Sequence, residues 1–307
     1  MKKKIVVTVG DPAGCGPFIT LKAIDRFNKK AHFIVVADRV ILERYSIFKK
    51  VSRKIELIDV KTPGINNLEL GCPSYLGGRA SINYLKIALK TIRKEKIQNL
   101  VTAPLSKEAV KMSLKNFSGH TEFLANYFKV RNVLMMMVDG NFRVVLATRH
   151  IPLRDVPSAI TKRLMQNTLK LTHKSLKDIF HIRNPRIAVA SLNPHAGVDT
   201  FLGKEELLVK DAIDTLPFKV YGPYPSDTLF LLYRRNKYDC VIACYHDQAM
   251  IPFKLLSFKK GVNVTLGLPI IRVSPAHGTA FDIVRERKIP SHYSMFSAFN
   301  IAEKLSL

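Results

Sequence analysis

Three histidines stand where a strand would end. His150 closes "FRVVLATRH", His195 closes "RIAVASLNPH", and His246 follows the apolar run of "DCVIACYH". Neutral imidazole is the commonest nitrogen ligand for zinc and related divalent ions, and a catalytic site takes about three protein ligands and keeps a position open. The alternative is three separate side chains that cap loops or hydrogen-bond locally, and no HExxH spacing decides between the two. Asp247 directly follows His246 and is placed to orient a ligand or to take a proton. His120 and Thr121 in "SGHTEFLANYF" precede an amphipathic segment. There the free N–H groups of a helix start, with two side-chain donors, suit an anion; a plain cap by Thr121 is the competing reading. Lys254, Asn263 and Arg272 flank or lie in a Gly- and Pro-bearing, loop-like stretch. Cationic donors there suit phosphate or carboxylate, and for each alone a solvated surface charge competes. "GDPAGCGP" resembles a phosphate loop only superficially. It lacks the Gly-Lys-Ser/Thr ending, and no GxGxxG is present, so neither a P-loop NTPase nor an ordinary dinucleotide-binding fold is supported.

These residues need a scaffold. Apolar runs predict strands at "KIVVTVG", "HFIVVAD", "KIELIDV", "QNLVTA", "VLMMMV", "FRVVLATRH", "RIAVASL", "FKVYGP", "DCVIACYH" and "VNVTLGL". Between them lie predicted helices such as "SINYLKIALKTIRKEK", "ITKRLMQNTLKLTHKSLKDIF" and "KEELLVKDAIDTL". In the first, Ile82, Leu85, Leu89 and Ile92 share a face, and Lys86, Lys90 and Lys94 lie to its side. Strands alternating with helices predict an α/β fold with mostly parallel sheets. In open α/β sheets ligands sit beyond the carboxyl ends of the strands, which is where the polar clusters fall.

Composition narrows the class. A chain of 307 residues with 47% hydrophobic content can bury one large core or two ordinary ones. No run reaches the roughly 18 apolar residues of a membrane span, and "MKKKIVVTVGDP" is too short in its apolar part for a signal peptide. A soluble cytoplasmic protein with no membrane partner is expected. Cys240 and Cys244 share a face of one predicted strand about 13 Å apart, too far for a disulfide. Cys15 and Cys72 complete the set, and reduced, mostly buried thiols are expected. The net charge of +25 raises the question of anionic partners. The cations are spread along the chain without a zinc-finger or RNP-like motif, so no specific nucleic-acid partner is expected. A positive field also draws in phosphorylated substrates and dinucleotides.

Read together, "TVGDPAGCGP", "TAPLSK", "GHTEFLA", "ATRHIPLRDV", "SLNPHAG", "GPYPSDTLF", "YHDQAMIPFK", "GVNVTLGLPIIR" and "HGTAFDI" resemble the signature segments of the 4-hydroxythreonine-4-phosphate dehydrogenases of pyridoxal phosphate biosynthesis. The resemblance runs in order over nearly the whole chain. It implies two α/β/α domains like those of isocitrate and isopropylmalate dehydrogenases, with the active site in the cleft between them. The boundaries expected are 1–125 plus 272–307 for the cofactor-side domain and 126–271 for the domain of metal ligands and dimer interface. It implies a homodimer with shared active sites. His150, His195 and His246 would be ligands to one divalent metal ion (Zn, Mg or Co). His120, Thr121, Lys254, Asn263 and Arg272 would bind a small phosphorylated substrate, with Asp247 catalytic. NAD, or NADP, would be held by Asp11, Gly14, His277, Gly278 and Thr279. The implied reaction is oxidation of 4-phosphooxy-L-threonine to 2-amino-3-oxo-4-phosphooxybutanoate, which decarboxylates to 3-amino-2-oxopropyl phosphate. A sister enzyme acting on threonate or erythronate 4-phosphate is the alternative. The chain departs from the family pattern at Cys15, Phe18, Ala276, Val284 and Arg285, on the cofactor-side segments, where Arg285 could meet a 2′-phosphate or be a surface arginine.

Overall fold

The computed structural model describes residues 3–197, 203–234 and 237–307. The chain divides into two compact units, Met1–Arg131 with Leu268–Leu307, and Asn132–Gly267. In chain order the first unit begins with β1 (Lys3–Thr8), α1 (Gly16–Arg26), β2 (Ala31–Ala37), α2 (Arg39–Leu42), α3 (Phe48–Val51), β3 (Ile55–Asp59), α4 (Tyr75–Glu95), β4 (Asn99–Thr102), α5 (Lys107–Ser113) and α6 (His120–Tyr127). The second unit holds β5 (Leu134–Asp139), β6 (Phe142–Leu146), α7 (Val156–Ala159), α8 (Lys162–Asp178), β7 (Ile187–Ala190), α9 (Glu205–Asp214), β8 (Val220–Tyr224), α10 (Ser226–Arg234), β9 (Cys240–Ala243), α11 (His246–Ser257) and β10 (Val262–Leu266). The chain then returns to the first unit with β11 (Ile271–Pro275), α12 (Phe281–Arg285) and α13 (Tyr293–Lys304).

The first unit's strands run in the order β3-β2-β1-β4-β11, all parallel. Such strands are covered on both faces, which explains why "IVVT" and "FIVVA" are apolar without alternation. Helix α4 starts at Ser74, whose side chain accepts a hydrogen bond from the Gly77 amide, and ends at Lys96 in the left-handed region. The predicted face of Ile82, Leu85, Leu89 and Ile92 is buried, and Lys86, Lys90 and Lys94 are exposed. Gly78 lets α5 lie directly on α4: a Cβ there would stand 1.9 Å from the Ala109 carbonyl oxygen. Phe27, Phe33 and Phe299 pack ring to ring at 4.8–6.3 Å and join α1, β2 and α13.

The second unit's strands run β10-β5-β6-β9-β7-β8. The β10–β5 and β5–β6 pairs are antiparallel and the rest parallel. Gly140 and Asn141 form the two-residue β5–β6 turn, and the positive φ of Gly140 suits it. The fold is thus the α/β class with mostly parallel pairing that strand–helix alternation predicts.

One predicted loop is a strand. "IRVSP" forms β11 and pairs with β4 through Ile271↔Asn99 and Val273↔Val101. The run is short and bounded by Pro269 and Pro275, which hid it; burial of Ile271 and Val273 against the sheet outweighs those breakers. This corrects the surface reading of Arg272, which is only 3% exposed. The four cysteines are free, and no helix among the described residues is long and apolar enough to cross a membrane.

Candidate active site

In the second unit the polar cluster is assembled by strand ends. The chain leaving β6 is zipped to the end of β9: the Ala147 amide donates to the Ala243 carbonyl and the Thr148 amide and hydroxyl to that of Cys244. His150 follows in the left-handed region (φ +46°) and His246 opens α11, so their rings come to a centroid separation of 5.8 Å. A cavity of about 280 Å³ lies there, lined by Thr148, His150, Leu153, Tyr245, His246 and Asp247 among others. Asp247 Oδ1 lies 2.6 Å from His246 Nδ1. A proton on Nδ1 satisfies that contact and leaves the Nε2 lone pair for a ligand.

Two residues that sequence reasoning passed over hold these ends in place. Gln248 accepts from the Cys244 amide and donates to the Ser191 carbonyl and the Ser226 hydroxyl, tying together β9, β7 and α10. It belongs to the polar cluster at the end of β9, and its burial is the signal the sequence does not carry. Glu206 is buried and grips Asn193 by the backbone amide (2.8 Å) and the side-chain amide (2.9 Å). Asn193 opens the turn that carries His195, which also has a positive φ of 55°. His195 lies in that turn after β7. Among the described residues no three His, Cys, Asp or Glu side chains of this chain converge on one metal position. The paired rings and the oriented His246 are a donor set suited to a borderline divalent ion, lacking further ligands from elsewhere. Lys254 is exposed two turns along α11, and Asn263 lies on β10 with its Oδ1 buried and without a hydrogen-bond partner.

The first unit carries a second constellation. The N-cap of α6 is Gly119, so Thr121 lies inside the helix and the reading of Thr121 as a plain cap does not hold. His120 is the first helical residue. Burial, then Arg272 and Lys107, hold its pKa well below the usual histidine value, so it is neutral at physiological pH. Arg272 donates from Nε (3.1 Å) and Nη2 (2.7 Å) to the Thr102 hydroxyl. Burial lowers its pKa to about 10 against the opposing pull of Glu122, and it remains a cation.

The segments expected to hold a cofactor also meet within this unit. The Cys15 amide donates to the Thr279 carbonyl, and a Cβ on Gly14 would stand 2.9 Å from that same oxygen. The Gly71 amide donates to the Ala13 carbonyl, while His277 and Gly278 are exposed at the loop surface, with open space around Gly278. Arg285 is tied down, with Nε and Nη2 donating to the Gly71 carbonyl. The Ala276 amide donates to Ser294 Oγ.

Asp11 is buried beneath these segments. Its Oδ1 accepts from the Ala13 amide at 3.0 Å, and its Oδ2 has no hydrogen-bond partner. Burial pushes its pKa up to about 6, with the backbone at Ala13 and Ser106 pulling the other way. The folded state therefore binds more protons than the unfolded state between about pH 4 and 6. The contribution of Asp11 to stability falls as pH rises through that window and is flat above it, by up to about 3 kcal/mol. Asp11→Asn is expected to remove that slope, read as urea midpoints at pH 4.5, 5.5 and 7. A difference between wild-type and Asp11→Asn midpoints that does not change across the window would contradict the assignment.

Comparison with known proteins follows the same residues. The family model described as pyridoxal phosphate biosynthetic protein PdxA matches residues 15–302. A 4-hydroxythreonine-4-phosphate dehydrogenase of Desulforapulum autotrophicum is 38% identical over 301 residues, covering 91% of this chain and 88% of that protein. A provisional D-threonate 4-phosphate dehydrogenase of Oceanobacillus iheyensis is 36% identical over 329 residues, covering 99% and 98%. The crystal structure of a 4-hydroxythreonine-4-phosphate dehydrogenase from Burkholderia phymatum matches with a TM-score of 0.83 at 33% identity, over 100% of this chain and 99% of that one.

Proposed function

This chain belongs to the family of the pyridoxal phosphate biosynthetic protein PdxA, and from that premise we propose that it is an NAD-dependent, divalent-metal-dependent 4-hydroxythreonine-4-phosphate dehydrogenase. The observation that carries the reading is the pairing of His150 with the Asp247-oriented His246 over a cavity at two strand ends. The substrate is 4-phosphooxy-L-threonine, and the product 2-amino-3-oxo-4-phosphooxybutanoate loses CO₂ to give 3-amino-2-oxopropyl phosphate. NADP is a second possible acceptor.

His150, His195 and His246 would hold a Zn, Mg or Co ion, which supplies Lewis-acid polarisation of the substrate's C3 hydroxyl and of the oxygen that becomes an enolate. Asp11, Gly14, His277, Gly278 and Thr279 would hold NAD, which would supply the hydride acceptor. The remaining work belongs to side chains. Neutral His120 donates or accepts one hydrogen bond without competing for charge, and Thr121 and Arg272 beside it bind the phosphate. Lys254 and Asn263 reach the rest of the substrate. Asp247 keeps the proton of His246 on Nδ1 and is the candidate base for the C3 hydroxyl.

A homodimer with shared sites accounts for the missing third ligand. It also accounts for Ile251, Leu255 and Phe258, which are 61%, 80% and 79% exposed along the helix that begins with His246. Exposed apolar side chains grouped on one helix mark an interface. The second reading, a threonate or erythronate 4-phosphate dehydrogenase, is favoured by the Oceanobacillus relative.

The test is NADH absorbance on mixing the purified chain with NAD and 4-phosphooxy-L-threonine, with and without a chelator. A chelator-sensitive rise is expected, with no comparable rise on D-threonate 4-phosphate. The reverse preference would transfer the chain to the second reading. No rise on any of these substrates, with metal restored and NADP tried, would sink both.

A further inference from the structure

The cluster around His120 includes a lysine to which the reading above gives no role. Lys107 is the first residue of α5, directly after the N-cap Ser106, whose Oγ accepts from the Ala109 amide at 3.1 Å. That cap fixes the first turn and hence the direction in which Lys107 leaves it. The side chain extends over the Gly119–His120 turn. A methyl group on Gly119 would stand 3.3 Å from Lys107 Cε, 3.6 Å from its Nζ and 3.0 Å from Glu122 Oε2. Gly119 also has φ +150°, a conformation open to glycine and strained for other residues. The backbone geometry favours glycine there, and the Lys107 ammonium lies 3.6 Å from where a Cβ would stand.

Charge decides what this arrangement can bind. Arg272 is buried, its guanidinium is engaged by Thr102, and it feels the Glu122 carboxylate. His120 is neutral. Arg272 and Glu122 alone therefore cancel and leave no net charge for a phosphate monoester, which carries about −1.5 to −2 at pH 7. Lys107 supplies the excess cation. Unlike Arg272 it is exposed, so a ligand arriving from solvent reaches it directly. Its charge, like that of Arg272, disfavours protonation of the same His120 ring.

We propose that Lys107 is a further substrate-binding residue, whose ammonium pairs with the phosphate ester bound at Gly119, His120 and Arg272 and sets the preference for phosphorylated over unphosphorylated substrates. This rests on the phosphate-site reading of His120 and Arg272 given above. Lys107 is a point charge on a flexible stem, suited to following a phosphate as it enters.

The experiment compares wild type, Lys107→Met and Lys107→Arg. Steady-state kinetics with 4-phosphooxy-L-threonine and NAD are expected to show KM for the phosphorylated substrate raised about tenfold or more in Lys107→Met. The value of kcat and the KM for NAD should change little, and Lys107→Arg should recover most of the affinity. In parallel, thermal stabilisation of the NAD-free protein by inorganic phosphate should be present in wild type and lost in Lys107→Met. An unchanged substrate KM, or a rise in the NAD KM instead, would overturn the inference. The phosphate measurement needs no turnover. If wild type oxidises no 4-phosphorylated substrate, the functional reading fails, while Lys107 is still judged: phosphate stabilisation equal in wild type and Lys107→Met would reject it.

Discussion

Alanine at His246 is expected to abolish metal-supported turnover and leave the folded chain intact. Removing groups that merely orient a metal ligand typically costs 10–100-fold, so deleting a ligand should cost at least about 100-fold. The His246 side chain is 41% exposed and pairs with Asp247 on the same helix, so its loss should shift stability by no more than about 0.5 kcal/mol. His195→Ala should be equally inactive, because its turn presents a histidine that no other residue replaces. The two inactive variants also report on each other. If His150 and His246 of one subunit meet His195 of its partner, a heterodimer of His195→Ala and His246→Ala chains has one intact site and one empty of both. Random mixing after mild dissociation then restores about a quarter of wild-type activity. Activity added back by metal to either variant alone would remove the ligand assignment. No recovery on mixing, with heterodimers verified by mass, would place all three ligands in one chain.

Arg272→Ala should be the more damaging change to the protein as a whole. Its guanidinium makes two hydrogen bonds to Thr102 and neutralises Glu122 from a position with 3% exposure. Truncation leaves buried polar groups without their partner, which costs roughly 3–5 kcal/mol of stability. On the proposed phosphate-binding role of Arg272 it would also remove a charge-assisted contact to the substrate, so KM should rise on the order of 100-fold where the variant remains folded. Arg272→Lys separates the two effects. It keeps the charge but not the planar fork, so it should recover part of the stability and less of the affinity. Urea midpoints and substrate KM for both variants check this. Because the pKa of Arg272 stays near 10, its contribution should not vary between pH 6 and 8. An unchanged KM in Arg272→Ala would show that the phosphate is bound elsewhere.

How much of this was legible in the sequence differs by residue. The apolar strands, the buried stripe of α4 and the histidines at strand ends are local patterns: burial on both faces selects continuous apolar runs in the strands, and burial on one face selects every third to fourth residue in the helix. Strand β11 was not legible, since two prolines mask a run of five residues whose strand character comes from pairing with β4. For the same reason Arg272 read as a surface charge; nothing local distinguishes a buried arginine from a solvated one. Glu206 was silent, and for Gln248 and Lys107 the sequence showed a polar residue near a strand end without its partners, because each acts on groups distant in the chain: Asn193, Ser191 and Ser226, and the Gly119–His120 turn.

Residue types and their order along the chain were enough to determine the α/β class, the family resemblance and the chemistry available: imidazoles for a metal, cations for a phosphate, a carboxylate beside a histidine. Tertiary structure alone decided which of those groups meet. It paired His150 with His246 because β6 and β9 are neighbours whose exits are hydrogen-bonded together. It left His195 on a separate turn, and it brought Lys107, Glu122 and Arg272, from three segments, into the surroundings of His120. Proximity between such segments comes from strand order and helix packing, summed over many weak long-range contacts that no short stretch of sequence contains.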